Sequence, residues 1–466
     1  MRTQLRFAMA FSFALAACGG DDGKCDFVAQ SGCDDGEVCE QVIDGEPTCF
    51  KPVEVHGRVF DLDSNAGIGD ARVVAVDVNS AAISGVSVSE APDGKYVLQV
   101  PALRASDGTP SALSATLRAD AQGYLGFPGT VRQALPVDIA TAVKNDDGVF
   151  VLQSAVTDIG LLADAAAGTA RLEGNVEMPD DGHGVLVVAE SAGKGFSAIA
   201  SRDGDYAILN LQPGTYTVTA YSVDHVYEVA TLDVAANAST AQNLKLTADA
   251  AATLNGSVSI VNGGQGTGTS VLAFIESTFD PVTGRGVPPP GLRAPAIGVA
   301  PNISGAFTLA GLPPGNYVIV AGFENDFLVR DPDHCISGTA DVHVTLAAGA
   351  TVDAPTTFKI TGSLDIMSPG ASTAEPITGN PTFTWADDSS EDQYVIELFD
   401  AFGQQVWTKT IPGFSGGIPT VTYDGGALAS GMFYQWRATS TRTTGGGGEQ
   451  CEIARTEDLK GVFFVP

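Results

Sequence analysis

The chain contains one pair of residues at a spacing that zinc enzymes use. His225 and Glu228 form a His-x-x-Glu motif, and a histidine nitrogen with a carboxylate oxygen can hold a catalytic zinc ion. Such an enzyme also needs a further ligand and a general base on a large catalytic domain. The five histidines are scattered over the sequence, and no segment alternates strands with long helices. We therefore predict no metal at this pair.

Residues 61–70 offer oxygen ligands at the spacing of a calcium loop. Asp61, Asp63 and Asn65 match its first positions, but the glycine comes one position late and the closing glutamate is missing. A turn stabilised by Asp and Asn side chains explains the same residues. The sequence also lacks the Gly-x-Ser-x-Gly motif of a serine nucleophile. We predict no catalytic residue and no cofactor.

Two aromatic residues follow the last core strand in each of three repeated units, and they are the candidates for ligand binding. If exposed, they would stack on sugar rings or contact a protein partner. If buried, they would pack beneath the next strand. The sequence leaves both interpretations open. The candidates are Tyr124 and Phe127, Tyr221 and Tyr227, and Phe323 and Phe327.

The first residues of the chain resemble the signal peptide of a bacterial lipoprotein. Arg2 and Arg6 precede an apolar run over residues 7–17, which is too short to cross a bilayer as a helix. The run ends in Leu15-Ala16-Ala17-Cys18, similar to a lipobox. The resemblance implies that residues 1–17 are removed and that a lipid on Cys18 anchors the chain in a membrane. An ordinary secretory signal with an unrelated cysteine is the alternative.

The residue after Cys18 indicates in which bacterial membrane the anchored chain would reside. Gly19 is not the aspartate that retains lipoproteins in the inner membrane of some bacteria. We therefore expect an outer-membrane location, on either the periplasmic or the cell-surface face.

Six further cysteines suit an exported, oxidised chain. Four of them lie within 25 residues, and two disulfides would make a compact unit of residues 18–51, in one of three pairings. A zinc site is the alternative, although the spacing lacks Cys-x-x-Cys pairs. The remaining two would pair with each other or stay as free thiols. The six are Cys25, Cys33, Cys39, Cys49, Cys335 and Cys451.

The composition favours an all-β protein of several domains. The 466 residues exceed what one hydrophobic core usually organises. The 55 glycines and 25 prolines suit short strands joined by turns. The formal net charge of −31 would repel phosphate groups. Nucleic acid is therefore not expected as a partner.

A recurring opening strand with alternating apolar residues divides the rest of the chain. It begins near residues 52, 167, 250 and 360, and the unit sizes suit one β-sandwich each. We call the predicted domains the first (52–166), second (167–249), third (250–359) and last (360–466) module.

The second and third modules share a stretch of sequence, over residues 203–220 and 304–321. Each copy has two alternating strands separated by Pro213-Gly214 or Pro314-Gly315. Proline and glycine suit the central positions of a type II turn, with a positive φ at the glycine. The repeat therefore predicts a hairpin and no chemistry. Residues 277–297, with three consecutive prolines, predict an exposed loop of polyproline character in the third module.

Residues 52–360 resemble the carboxypeptidase regulatory-like family of transthyretin-like sandwiches. The motifs are Gly-x-Val at Gly174 and Gly256 and the run Pro-Gly-x-Tyr-x-Val-x-Ala from Pro213; the first module lacks that Pro-Gly pair. The last module, with Trp385, Tyr394 and Trp436 in its strands, is similar to a fibronectin type III sandwich. The first resemblance implies an accessory fold and not a catalytic one.

These features predict a fold of tandem Ig-like or transthyretin-like β-sandwiches, arranged as beads on a string behind a small disulfide-rich unit. The expected function is that of a membrane-anchored, non-catalytic scaffold or adhesion module with a protein or polysaccharide partner. A carbohydrate-binding surface protein is the alternative. A zinc carboxypeptidase-related enzyme is a third, suggested by the His225 and Glu228 motif beside a fold that accompanies such enzymes.

Overall fold

The computed structural model describes residues 25–466, except residues 28–29, 112–113, 130–131, 296–298, 323–324, 332–337, 389, 415, 445–447 and 449. The signal peptide, Cys18, Phe323 and Cys335 lie outside the described residues. Tandem β-sheets with a few 3₁₀ turns make up the described chain, so the all-β prediction is confirmed. Within these ranges, no helix combines the length and the apolar character needed to cross a bilayer.

The cysteine-rich segment contains a small antiparallel ribbon of β1 (Val38–Glu40) and β2 (Thr48–Phe50). Disulfides join Cys25 to Cys39 and Cys33 to Cys49. So short a segment cannot bury a core of its own. The bridges hold it together, as expected for a disulfide-rich unit at the start of the chain.

The first module is a sandwich of a larger and a smaller sheet. The larger has the order β10-β11-β3-β12-β8, with β6 also paired to β3, and the smaller has the order β5-β4-β7-β9. Two 3₁₀ turns occupy Ile139–Thr141 and Ala155–Thr157. The strands are β3 (Val53–Asp61), β4 (Arg72–Val76), β5 (Ser87–Val88), β6 (Lys95–Val100), β7 (Ser114–Asp120), β8 (Tyr124–Leu125), β9 (Val137–Asp138), β10 (Val143–Lys144), β11 (Phe150–Leu152) and β12 (Ile159–Ala163).

The second module repeats this plan with fewer strands. One sheet has the order β16-β13-β20, and the other has the order β15-β14-β17-β18 with β19 also paired to β17. The strands are β13 (Ala170–Asn175), β14 (Leu186–Ser191), β15 (Lys194–Ile199), β16 (Asp205–Leu211), β17 (Gly214–Ser222), β18 (His225–Val226), β19 (Ala230–Val234) and β20 (Ser239–Ala241).

The third module has the same arrangement of two sheets as the second module. Its sheets are β24-β21-β29-β26, with β28 also paired to β21, and β23-β22-β25-β27. A 3₁₀ turn occupies Glu276–Thr278. The strands are β21 (Ala252–Val261), β22 (Val271–Ile275), β23 (Arg293–Ala294), β24 (Ala306–Leu312), β25 (Gly315–Ala321), β26 (Leu328–Arg330), β27 (Val342–Leu346), β28 (Thr351–Asp353) and β29 (Phe358–Gly362).

The last module has a different sheet order. It pairs β30-β32-β35 in one sheet and β31-β38-β36-β33-β34 in the other, with β37 also paired to β36. Trp385, Tyr394 and Trp436 are fully buried between these sheets, as predicted for core residues. The strands are β30 (Ile366–Ser368), β31 (Glu375–Pro376), β32 (Thr382–Trp385), β33 (Gln393–Asp400), β34 (Gln405–Pro412), β35 (Thr420–Thr422), β36 (Phe433–Thr443), β37 (Gln450–Arg455) and β38 (Val462–Phe464).

The glycine of the Gly-x-Val motif lets a returning chain cross close above the opening strand. A Cβ atom at Gly57 or at Gly174 would collide with the carbonyl oxygen of Thr157 or Gln242, respectively. The same carbonyls accept hydrogen bonds from the hydroxyls of Tyr96, at 2.6 Å, and Tyr206, at 2.7 Å. The chain beyond this crossing pairs in parallel with the opening strand in the first module, β12 with β3. The motif residues are therefore structural.

The shared Pro-Gly stretch is not a hairpin, so that prediction is wrong. β16 and β17 belong to different sheets, as do β24 and β25, and neither Gly214 nor Gly315 has a positive φ. The chain crosses from one sheet to the other at this point. The hydroxyls of Tyr216 and Tyr317 close the corner by donating to the carbonyl oxygens of Gln212 and Pro313, four residues earlier, at 2.8 and 2.6 Å.

Two other segments differ from their predictions. Pro288, Pro289 and Pro290 are buried, with Pro290 against Gly184 of the second module, whereas Val282 earlier in the insertion is 93% exposed; the predicted exposed loop is therefore correct only for the first part of the insertion. The strand that contains Ile360 and was expected to open the last module is β29, which pairs with β21 and β26 of the third. Its apolar side chains complete the third module's core.

The modules are in tandem along the chain and also share apolar surface. The core of the third module includes Val74 and Val76 of the first module and Leu186, Val188 and Tyr221 of the second. Val78 of the first module packs against Phe274 of the third. Contacts between modules are therefore part of the folded core.

Candidate functional site at the module junctions

The candidate binding aromatics are largely buried. Phe127, Tyr221 and Tyr227 are 4%, 5% and 3% exposed, and Tyr124 and Phe327 are half-buried. Phe323 lies outside the described residues. Because stacking on a sugar ring requires an open aromatic face, the burial of Phe127, Tyr221 and Tyr227 agrees with the packing alternative and not with an exposed platform. Phe127 and Tyr227 pack in the cores of their own modules. Tyr221, near the end of β17, packs in the core of the third module, and Phe327 lies beside Lys460 of the last module.

The second module docks on the first through Asn210. Its side-chain oxygen accepts hydrogen bonds from the backbone N–H of Gly123, at 2.7 Å, and from Gln122 Nε2, at 3.0 Å. Its Nδ2 donates to the carbonyl oxygens of Ala121 and Tyr124, both at 2.8 Å. Asn210 has a φ of 59° at an irregularity in the β13–β16 pairing. Asparagine tolerates this left-handed conformation better than most residues.

The third module docks on the second at the equivalent place. Gly311, with a φ of 77°, lies at the matching irregularity of the β21–β24 pairing. Its carbonyl oxygen accepts a hydrogen bond from the Asp224 N–H at 2.9 Å. A Cβ at Gly311 would lie 2.7 Å from Asp224 Oδ1. Beside this contact, the Tyr221 and Tyr317 rings meet edge to face with centroids 6.4 Å apart.

The last module meets the third around Phe327. The ammonium group of Lys460 lies 4.2 Å from the centre of the Phe327 ring, within the range of a cation–π interaction. The Phe327 carbonyl oxygen accepts from the Ser363 N–H at 2.9 Å. The loops after the core strands of the first, second and third modules therefore each contact the module that follows.

A buried ionic cluster joins the first, third and last modules. Arg285, in the insertion of the third module, donates to the Val78 carbonyl oxygen of the first module at 3.2 Å. It also pairs with Asp458 of the last module at 2.9 Å. The Asp458 side chain is 3% exposed and also lies 3.5 Å from Arg437. Burial opposes ionisation of Asp458, but Arg285, Arg455 and Arg437 outweigh it and lower its pKa below the usual value.

Glu457 lies beside this cluster, and its pKa is shifted in the opposite direction, upwards. It is 1% exposed. Burial first, and then the nearby Asp326 carboxylate, raise the pKa of Glu457 to about 9. The cluster thus holds a charged carboxylate surrounded by arginines next to a glutamate that keeps its proton at neutral pH.

The last module also contacts the first module directly. Arg132 donates to the Phe402 carbonyl oxygen through Nε at 3.1 Å and Nη2 at 2.9 Å. The Phe127 ring packs on the Arg132 guanidinium at 4.7 Å. Leu135, Phe399 and Ala401 form a small apolar cluster across the same contact. Since each module also contacts the next, the four modules form a closed circuit.

The cysteine-rich segment is fixed to the first module by a buried ion pair. Glu40 and Arg104 are each 1% exposed and pair directly. The second oxygen of Glu40 accepts from the Ala102 N–H at 2.8 Å, and the Phe50 ring packs on the Arg104 guanidinium at 4.9 Å. Burial raises the pKa of Glu40, although Arg104 opposes this. These contacts attach the cysteine-rich segment to the first module.

The two motifs that resemble metal sites contain residues that are bonded to other groups of the chain. His225 Nε2 lies 2.7 Å from Asp181 Oδ2, whereas Glu228 is exposed, and the pair joins no cluster of metal-type ligands in the described chain. Asp61 Oδ1 accepts from the N–H groups of Asp63, at 3.0 Å, and Ser64, at 2.7 Å. That arrangement is a side-chain-stabilised turn.

The sulfur atoms of Cys25, Cys33 and Cys39 lie within 4.8 Å of one another and are the metal-type group among the described residues. They are oxidised in disulfides, and metals bind the thiolate form. Cys451 is buried and disulfide-bonded; Cys335, its predicted partner, is outside the described residues, so that pairing stays a prediction. Two cavities in the described part of the chain are each about 10 Å³, room for about one water molecule.

Sequence reasoning missed the residues that make the junctions. Asn210 and Gly311 occupy the same position in the two copies of the shared stretch, and both residue types favour a positive φ. This shared preference at one position of the two copies could have identified both junction residues from the sequence. Arg285 and Asp458 carry no local signal, because they are far apart in the sequence and belong to different modules.

Comparisons with known proteins give only distant structural likenesses. No family model matches the chain, and no curated protein matches it. The Bacillus anthracis TIE protein is 10% identical, with 88% of this chain and 73% of that chain covered and a TM-score of 0.16. The major pilin subunit of Bacillus cereus is 9% identical, with coverages of 65% and 99% and a TM-score of 0.18.

A streptococcal ancillary pilin is 12% identical, with 66% of this chain and 98% of that chain covered and a TM-score of 0.15. At such identities and TM-scores, these likenesses establish no shared function. The function of this chain has to be argued from its own contacts.

Proposed function

We propose that this chain is a non-catalytic scaffold lipoprotein of the bacterial envelope, anchored in the outer membrane by a lipid on Cys18. Its first three modules are carboxypeptidase regulatory-like sandwiches, and its last module is a fibronectin type III-like sandwich. The observation that carries the scaffold function is the use of the loops after the core strands. These loops hold the next module, at Asn210, Gly311 and Lys460, and do not present side chains to a small ligand.

Fixed geometry from the anchor outwards supports the same proposal. The buried Glu40–Arg104 pair ties the cysteine-rich segment to the first module, and the junctions tie the modules to one another. A scaffold has to keep its parts in a constant arrangement, and buried side-chain hydrogen bonds and ion pairs favour one arrangement over others. The partner presented by this scaffold is a protein or a polysaccharide.

Neither of the other functions has a supporting observation. Carbohydrate binding through the loop aromatics would need Tyr221 and Phe127 in the open, and both are buried. A zinc carboxypeptidase would need His225 and Glu228 on one ion, and His225 is bonded to Asp181.

Lipid anchoring is tested by Cys18→Ser, with the full-length gene expressed in a Gram-negative host. We expect the wild-type chain in the membrane fraction and the variant in the aqueous extract of the envelope, because the thioether to the lipid cannot form. Gly19→Ser is the matched control and should leave the chain in the membrane. Retention of Cys18→Ser in the membrane fraction would refute the anchor.

A second variant tests in which membrane the chain is anchored. Gly19→Asp supplies the residue that retains lipoproteins in the inner membrane of some bacteria, and density-gradient separation of the two membranes measures the outcome. We expect the wild-type chain with the outer membrane and Gly19→Asp with the inner. A wild-type chain that sediments with the inner membrane contradicts the proposed location without affecting the anchor.

The scaffold function is tested by affinity capture from envelope extracts after mild cross-linking, with envelope polysaccharides tested separately. Recovery of a stoichiometric protein or polysaccharide partner is expected. Turnover of a peptide or glycan substrate by the purified chain, lost in His225→Ala, would instead support an enzyme.

A further inference from the structure

The sulfur atoms of the cysteine-rich segment lie closer together than its two disulfides require. Those of Cys25, Cys33 and Cys39 are within 4.8 Å of one another, although Cys25 and Cys39 form one bridge and Cys33 belongs to the other. The fourth sulfur, of Cys49, is bonded to that of Cys33. Both bridges therefore bring their sulfur atoms to one place in the segment.

This spacing is close to that of four thiolates around a zinc ion. Zinc lies about 2.3 Å from each thiolate sulfur in a tetrahedron, so two sulfurs of one site are about 3.8 Å apart. Once the bridges are open, rotation about the Cα–Cβ bonds can close the remaining difference. Thiolate sulfur is a soft ligand, which favours zinc over magnesium or calcium.

Two of the four sulfur ligands are held in place by contacts other than the bridges. Cys39 and Cys49 lie opposite each other in the β1–β2 ribbon. The residue after each of them contacts Arg104 of the first module: Glu40 through the buried ion pair, and Phe50 through its ring, at 4.9 Å. Because reduction of the disulfides does not involve these contacts, Cys39 and Cys49 keep their positions in the reduced chain.

The other two ligands lie in the chain before the ribbon, which Gln30 ties to Cys39. The Gln30 side-chain oxygen accepts a hydrogen bond from the Cys39 N–H at 3.2 Å, and its Nε2 donates to the Cys39 carbonyl oxygen at 3.0 Å. Gln30 falls between Cys25 and Cys33 in the sequence. With both bridges open, this contact keeps Cys25 and Cys33 beside the ribbon.

We propose that the reduced form of the cysteine-rich segment binds one zinc ion through Cys25, Cys33, Cys39 and Cys49. The segment then holds either two disulfides or one zinc ion, and it stays on the first module in both forms. The four thiols are present in the newly made chain, because the cytoplasm keeps cysteines reduced, and an oxidising compartment favours the disulfides. The zinc site does not depend on the proposed envelope function, since it concerns only the chemistry of these four side chains.

The exchange between the two forms balances without any group beyond a dithiol and the metal. A dithiol opens each bridge by giving two electrons and two protons to its sulfurs, and becomes a disulfide itself. The four thiols of the segment then lose their protons to the solvent as zinc binds, because the thiolate is the ligand. Oxidation to the disulfides removes the thiolates and therefore releases the zinc ion.

The test uses the mature chain with Cys18→Ser, which removes that thiol, before and after reduction. A phosphine is the reductant, because a dithiol would itself bind zinc. Zinc is added, the excess is removed by gel filtration, and atomic absorption measures the metal that remains. We expect one zinc ion per chain after reduction and no stoichiometric zinc in the oxidised chain. Binding should strengthen as the pH rises, because the thiols must lose protons.

Cys25→Ser/Cys33→Ser is the matched variant. Both bridges are already open in the reduced wild-type chain, so the two serines change only the number of sulfur ligands. Zinc binding should be lost, although Cys451, whose disulfide is also reduced, remains in the variant. Zinc that is bound equally by both chains, or by neither, overturns the proposal.

Alkylation locates the zinc ion independently of the amount bound. In the reduced chain, zinc should slow the reaction of iodoacetamide with Cys25, Cys33, Cys39 and Cys49, because a metal-bound thiolate is a poorer nucleophile than a free one. The reaction with Cys451 should not change. Peptide mass spectrometry measures each rate. Equal alkylation rates of the four cysteines with and without zinc would contradict the site even if the chain retained metal.

Discussion

Asn210 Oδ1 lies 2.7 Å from the backbone nitrogen of Gly123, so that one side chain of the second module closes a loop of the first. The same asparagine donates to the carbonyl oxygens on either side of that loop, at Ala121 and Tyr124. It therefore satisfies backbone groups that a separate first module would leave to water. The junction is a specific interface and not a passive contact between linked domains.

Asn210→Gly tests this interface without disturbing the backbone, since glycine adopts the positive φ of this position freely. We expect the free energy of unfolding to fall by about 1–3 kcal/mol, because the loop loses several hydrogen-bond partners. Equilibrium denaturation in urea measures it. Asn237→Gly is the matched control, at an exposed position with a φ of 57°. An equal effect of the two substitutions would show that Asn210 contributes only through its backbone.

Gly311→Ala tests the equivalent junction between the second and third modules. The added Cβ would meet Asp224 Oδ1 at 2.7 Å, at a residue whose φ is 77°. Strain and displacement together should lower the thermal midpoint more than Gly349→Ala does. Gly349 also has a positive φ, of 65°, but a Cβ there meets only a side-chain carbon at 3.6 Å. A positive φ alone costs about 1–2 kcal/mol of stability. Any further loss of stability in Gly311→Ala is therefore the contribution of the junction.

Glu457 predicts how the stability of the last junction depends on pH. In the folded chain burial and Asp326 raise its pKa to about 9, against an ordinary value of 4.5. Between these values the folded state binds more protons than the unfolded state. The contribution of Glu457 to stability is therefore full below about pH 4.5 and is lost as the pH rises towards 9, by up to about 1.4 kcal/mol per pH unit.

Glu457→Gln should remove that dependence, because the amide stays neutral at every pH. Denaturation at about pH 6 and about pH 8 should show a smaller loss of stability with pH in the variant than in the wild type, and a more stable variant at the higher pH. Glu228→Gln, at an exposed position, is the control. Parallel pH profiles for the wild type and Glu457→Gln would be inconsistent with a protonated Glu457.

Glu40→Gln tests the attachment of the cysteine-rich segment. The substitution leaves Arg104 buried without its carboxylate partner, which in buried pairs costs about 3–5 kcal/mol. The segment should detach while its disulfides remain, so limited proteolysis under non-reducing conditions should cut faster after residue 50. The exposed Glu46→Gln is the control. Unchanged cleavage rates would mean that the ion pair does not hold the segment.

The sequence was informative about what each module is made of. Alternating apolar residues predicted β-strands, and the cysteine spacing predicted a disulfide-rich unit, because both depend on neighbours along the chain. The burial of Trp385, Tyr394 and Trp436 followed from the same alternation. The Pro-Gly repeat was correctly read as structural, but its hairpin was wrong, because a corner between sheets and a turn within one sheet use similar residues.

What the sequence alone determined is therefore local: strands, turns, the disulfide-rich segment and the absence of a recognisable catalytic motif. Tertiary structure decided where the modules touch. Asn210, Gly311, Arg285 and Asp458 act through partners in other modules, and the burial of Pro288 to Pro290 likewise depends on surfaces brought in from elsewhere. Periodicity reports which face of a strand is buried, but only the packed molecule shows which module covers it.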